Sequence, residues 1–178
     1  MTDVDDREER IEAALRAGRM IAFSALLGLG FFYAIAVFLL QSQPSFGAPA
    51  PPAPSAPATF PLPAVGIALS LLTLFLSLLV RASAIHHARA AARGVREPLG
   101  LLLARYRSAT LMAIGFCDAG GFLHGVLTLV AGPAYLGWLA GGLICAVGIV
   151  WHLPSRTALD QLLPDAERDR QDSGTSGP

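Results

Sequence analysis

Residues 109–153 read ATLMAIGFCDAGGFLHGVLTLVAGPAYLGWLAGGLICAVGIVWHL, two apolar runs joined at Gly132-Pro133 and carrying one charged residue, Asp118. A hydrocarbon core of about 30 Å is crossed by about 20 helical residues. The runs 109–131 and 134–153 both meet that length. Gly followed by Pro closes a tight turn, because glycine tolerates unusual dihedrals and proline cannot continue the preceding helix. The two runs are therefore expected as antiparallel neighbours.

Working outward, two more apolar blocks of spanning length lie at 20–40 and 62–85. The expected fold is an all-α membrane protein of four transmembrane helices in an antiparallel bundle. The first block could be mistaken for a secretion signal. Its uncharged run exceeds the usual core of about 7–15 residues, and acid-rich sequence precedes it, so it reads as a retained span. Composition agrees with a membrane protein: 53% of the 178 residues are hydrophobic and 15% are charged. Soluble domains carry about 25% charged residues. Formal net charge is zero, so no overall field draws nucleic acid, and none is expected as a partner.

The connecting segments differ in kind. Residues 1–19 alternate acids, arginines and apolar residues as a short cytoplasmic amphipathic helix at or below the membrane would, acids first to suit the helix dipole. Residues 41–61 are rich in Pro and Ala and uncharged, which favours an extended, solvated external loop. Residues 86–108 form an arginine-rich cytoplasmic loop, helical on either side of a break near Pro98 and Gly100. Residues 154–178 form a largely disordered tail, with one amphipathic turn around Leu159, Leu162 and Leu163.

All 13 basic residues are arginines, and they fall before the first span, at or between the second and third, and after the fourth. The two remaining loops carry none. The positive-inside rule places both termini and the central loop in the cytoplasm. Tyr135 and Trp138 then suit the outer interface, Tyr106 and Trp151 the inner one. Arginine without lysine, with Ala, Gly and Pro bias, suggests a bacterial origin and an inner (cytoplasmic) membrane.

Helices in lipid associate through small residues and polar contacts, since lipid tails are as apolar as leucine. Gly115, Gly121 and Gly125 lie within about 60° of one another on the third helix. On the fourth, Gly137, Gly141, Cys145, Gly148 and His152 form one stripe. Counting from the cytoplasmic ends puts Gly121 level with Gly141 and Gly125 level with Gly137, so two glycine faces are expected to meet. The second helix offers Gly66, Ser70, Thr73, Ser77 and Arg81. The first offers Ser24, Gly28, Gly30 and Tyr33.

Asp118 is the one acid inside a span, and placing Asp there costs about 2.5–3.5 kcal/mol. Thr73, Ser77 and Cys145 are expected at its depth; Arg81 lies nearer the cytoplasm and is expected to snorkel outward. With no cation beside it, desolvation favours the neutral acid. Such a carboxyl either pins helix packing through hydrogen bonds or handles a proton or cation.

The run from Arg96-Glu97-Pro98 through Arg105 to GFCDAGGFLHGVLTLVAG resembles the loop and outer helix of the rotary ATP synthase proteolipid (c) subunit. The resemblance covers about a quarter of the chain and implies that Asp118-Ala119 corresponds to the family's ion-carrying carboxyl. The chain also resembles uncharacterised bacterial four-span proteins with such a second hairpin. It departs from the proteolipids in its second helix, where IALSLLTLFLSLL stands in place of a glycine-rich inner helix.

His86 or His87 and His152 lie at similar depth, which admits a single-haem cytochrome as an alternative. Cys117 and Cys145 form no C-x-x-C pair and read as small core residues. Asp118 and His124, about 120° apart around one helix, make no nucleophilic triad. The chain is therefore expected to be a non-enzymatic accessory or scaffold component, without cofactor or metal, whose partners are the bilayer and another membrane protein or a second copy. The alternative is a proton- or cation-coupled component working through Asp118.

Overall fold

The computed structural model describes residues 3–43, 62–92 and 98–160. The Pro/Ala-rich loop, the arginines of 93–97 and Leu162 and Leu163 lie outside the described residues. The described part is all-helical. It comprises α1 (Asp3–Gln41), α2 (Leu62–Ala92), α3 (Pro98–Ala131), a 3₁₀ helix (Pro133–Gly141), α4 (Gly142–Trp151) and a short α5 (Arg156–Asp160). Three of these, α1, α2 and α3, are long and apolar enough to cross a membrane.

Their boundaries follow local chemistry. The first helix runs through Arg19 and Met20 without a break, since no Gly-Pro or Pro interrupts it, so the amphipathic segment and the first apolar block form one rod of 39 residues. Proline opens α3 at a position where its missing N–H costs nothing. Gly132 has φ of 94°, a conformation that side chains resist, and it turns the chain into the 3₁₀ helix.

α3 is the central helix, packed most extensively on α2 and also on α1, the 3₁₀ helix and α4. Antiparallel register between α2 and α3 places Ser77 against Cys117 and Thr73 against Gly120. In the α3–α4 hairpin, Cys117 meets Gly148, Gly121 meets Cys145 and His124 meets Gly141. These pairs are symmetric about the Gly132-Pro133 turn. The turn sets the register, whereas counting from the far ends of the two runs displaces it by about one turn. Gly121 and Gly125 consequently do not face Gly141 and Gly137.

Two kinds of interior follow one another along the bundle. In the apolar zone many buried residues are small or polar, among them Ala22, Ala36, Ser70, Ser77, Ala113, Cys117, Thr128 and Cys145, packed with Leu29, Leu40, Ile114 and Ile149, while Phe23, Phe31, Phe38, Leu72, Phe75, Leu143 and Val147 are exposed. At the arginine-bearing end the order inverts. Ile11, Leu15, Leu102 and Leu159 are buried together with Ala88, Ala92 and Tyr106, and charged side chains lie outside. A rod of 39 residues is about 58 Å long, so α1 overshoots a core of about 30 Å by enough to build this cap. The N-terminal segment does not lie flat: Ile11 and Leu15, one turn apart, bury against the ends of α2 and α3 and against α5. Arg156 of α5 pairs with Glu8 and, at 3.4 Å, Glu12.

Candidate functional site

The polar side chains of the bundle converge on α3 at three heights. At the arginine-bearing end of the apolar zone, Arg81 does not snorkel away. One guanidinium nitrogen lies 3.1 Å from His152 Nδ1 and donates to the Trp151 carbonyl at 3.4 Å. The other lies 3.5 Å from the Tyr106 hydroxyl, with the guanidinium carbon 5.9 Å from that ring's centroid. His152 is fully buried, and its Nε2 lies 2.8 Å from Ser77 Oγ.

Donor chemistry fixes every proton in this clamp. A guanidinium can only donate, so His152 Nδ1 must accept and carries no proton. The neutral ring therefore carries its proton on Nε2 and donates to Ser77. Ser77 Oγ donates in turn to the Leu74 carbonyl at 2.6 Å and accepts from Cys117 Sγ at 3.5 Å. The clamp joins α2, α3 and α4 with each member satisfied. Backbone position makes this possible: Ser77 and Arg81 are one turn apart on the inner face of α2, and His152 ends α4 at their height.

At mid-height, Asp118 is half-buried on the flank of α3, one turn below the residues that meet α1. Its Oδ1 is buried with no hydrogen-bond partner. Thr73, Ser77 and Cys145, expected beside it, are otherwise engaged. Thr73 donates to the Ser70 carbonyl at 2.9 Å, Ser77 belongs to the clamp, and the Cys145 thiol sits beside the Ser70 and Thr73 hydroxyls. The hydroxyl stripe of α2 thus serves its own backbone, the fourth helix and the backbone of the third, where Ser70 donates to the Gly120 carbonyl at 3.4 Å.

In the half nearer the Gly132-Pro133 turn, His124 is fully buried and its Nε2 donates to the Trp138 carbonyl at 2.8 Å. An α-helix would have given that carbonyl to Gly142 N–H. Here Gly142 bonds to the Leu139 carbonyl, three residues back, which is the 3₁₀ pattern. The imidazole is thus an additional donor to a carbonyl that the 3₁₀ pattern pairs with the N–H of Gly141. Its Nδ1 is left without a partner, over Gly66.

The glycines divide by role. A methyl group at Gly66 or Gly141 would strike the His124 ring at 2.5 and 2.6 Å, and one at Gly148 would meet Cys117 Sγ at 2.7 Å. Gly121 faces Leu29 and Cys145, and Gly125 receives the Phe32 ring. Gly115 and Gly137 are exposed, with nothing near the position of an added methyl. Of the polar group on α1, Tyr33 faces inward, its hydroxyl donating to the Gly121 carbonyl at 2.9 Å. Ser24 bonds its own Met20 carbonyl, and Gly28 and Gly30 border open space.

Both ring nitrogens of His152 are engaged, and the exposed His86 and His87 face each other with centroids 5.9 Å apart, so these histidines do not present a haem-ligating pair. Among the described residues no group of three or more His, Cys, Asp or Glu side chains converges as a metal site. Sequence reading missed the clamp. Its signal was present, since Ser77, Arg81 and His152 all lie on the inward stripes of their helices. No protein family, characterised protein or solved structure matches this chain.

Proposed function

We propose that the chain is a non-enzymatic helical module of a bacterial inner membrane, spanning it four times with both termini in the cytoplasm, and serving as an accessory or scaffold component. One observation carries this reading: the intramembrane imidazole, guanidinium, hydroxyl and thiol groups satisfy one another across three helices, as elements of packing do. The apolar exterior supports the membrane location, with Phe23, Phe31, Phe38, Phe75, Leu143 and Val147 exposed around a core that includes buried Ser70, Ser77 and His152. The fourth span is short in residues. However, 9 residues of 3₁₀ helix and 10 of α-helix reach about 33 Å, sufficient for a core of about 30 Å. Arginine placement supports the orientation.

A second reading has its own observation. Asp118 Oδ1 is buried and unpartnered, and an intramembrane carboxyl in that state suits a proton- or cation-coupled component. The likeness of the second hairpin to the proteolipid subunit points the same way. Purified protein in liposomes separates the two. Under an imposed potential, the scaffold reading expects proton flux equal to empty liposomes for both wild type and Asp118→Asn. Flux above that background, lost in Asp118→Asn while the protein still inserts, would replace the scaffold reading with the coupled one.

A further inference from the structure

At the cytoplasmic end of the apolar zone a groove of about 440 Å³ opens between α1 and the end of α4, lined by Arg19, Met20, Phe23, Leu26 and Leu153. Its chemistry is split by height. Met20 and Phe23 are exposed, Leu26 and Leu153 are half-buried, and together they form a wholly apolar floor rising into the zone. Arg19 stands at the mouth, with Arg16 one turn earlier on the same helix.

The charge at this mouth is uncompensated. Arg19 Nε reaches the Pro154 carbonyl at 3.5 Å, which leaves the terminal guanidinium nitrogens without a partner among the described residues. Arg16, also exposed, has none. Glu12, one turn from Arg16 on α1, is itself held by Arg156, and neither arginine at the mouth forms an ion pair among the described residues. Two cations beside a cleft that is apolar above them match a molecule with an anionic head and a hydrocarbon tail, head toward the cytoplasm.

We infer that this groove is a specific site for an anionic phospholipid of the cytoplasmic leaflet, its phosphate on Arg19 and Arg16 and an acyl chain along Met20, Phe23, Leu26 and Leu153. The inference rests on the membrane orientation proposed above. Arginine near an anionic surface contributes about 1 kcal/mol, or about five-fold in affinity.

The test uses the full-length protein in nanodiscs of mixed phosphatidylglycerol and phosphatidylcholine, released into mild detergent for native mass spectrometry. Wild type is expected to retain one phosphatidylglycerol in preference to phosphatidylcholine. Arg19→Gln is expected to lower that retention about five-fold, the factor set by one arginine. Met20→Glu, which places a carboxylate at the mouth of the groove, should lower it as well. Arg105→Gln, on an exposed arginine of α3 away from the groove, should leave it unchanged. Equal retention in all four proteins would overturn the site while leaving the membrane reading intact. Release of the wild-type protein from membranes by alkaline carbonate would overturn both.

Discussion

His152 is the side chain whose removal should be felt furthest, because it ties the end of α4 to both Arg81 and Ser77 of α2. Truncation to alanine removes one interhelical bond each from Arg81 and Ser77 and opens space at the end of α4. Interhelical hydrogen bonds in bilayers average about 0.6 kcal/mol and reach about 1.7, so the bonds and the lost packing together should cost about 1–3 kcal/mol. The thermal midpoint of the detergent-solubilised protein, followed by circular dichroism, should fall for His152→Ala. It should fall for Gly66→Ala too, because the His124 ring must move. Gly115→Ala and Gly137→Ala, with open space around them, should leave it unchanged or slightly raised. A loss of stability in Gly115→Ala equal to that in Gly66→Ala would mean that the open flank of α3 is covered. The sequence shows all of these glycines with equal prominence. Which of them a neighbour fills depends on helix rotation and on the size of the facing side chain, and neither is encoded in the spacing of the glycines themselves.

At the scale of elements, the cap is the feature that the chain's periodicity only half discloses. Ile11 and Leu15 announce an amphipathic helix, yet a membrane surface and a neighbouring helix satisfy an apolar stripe equally well. The structure chooses the neighbour, because α2 and α3 overshoot the apolar zone on the same side and present Ala88, Ala92, Leu102 and Tyr106. Leu15→Ala should therefore destabilise the cap by about 2–5 kcal/mol, the usual range for a buried leucine. Hydrogen exchange should speed up in residues 6–18 and around Leu159, while the apolar parts of α2 and α3 stay protected. Faster exchange in α1 alone would indicate a helix lying on lipid. The 3₁₀ stretch, which its Gly-rich sequence permits, is tied to α3 by the bond from His124 to the Trp138 carbonyl.

For the molecule as a whole, the proposed topology is open to labelling, since Cys117 and Cys145 are both fully buried and should be silent. Cysteine introduced at the exposed Ser42 should react with an impermeant maleimide in intact spheroplasts, whereas cysteine at Arg10 or Thr157 should react only after permeabilisation. Labelling of Arg10→Cys or Thr157→Cys in intact spheroplasts would put that terminus outside. Helical class, the apolar blocks and the sidedness of the arginines were all legible in the chain, because each depends on local composition: length against bilayer thickness, and charge against the cost of crossing. The inward stripe of α2 was also legible, since helical periodicity places it without reference to a partner, whereas the hydroxyls expected beside Asp118 are engaged elsewhere. What only the tertiary structure decided is pairing. Ser77 joins His152 and not Asp118, Arg81 turns inward, and Gly141 accepts an imidazole where a second glycine was expected. Each of these depends on the register between helices far apart in sequence, which the Gly132-Pro133 turn and the packing around α3 impose.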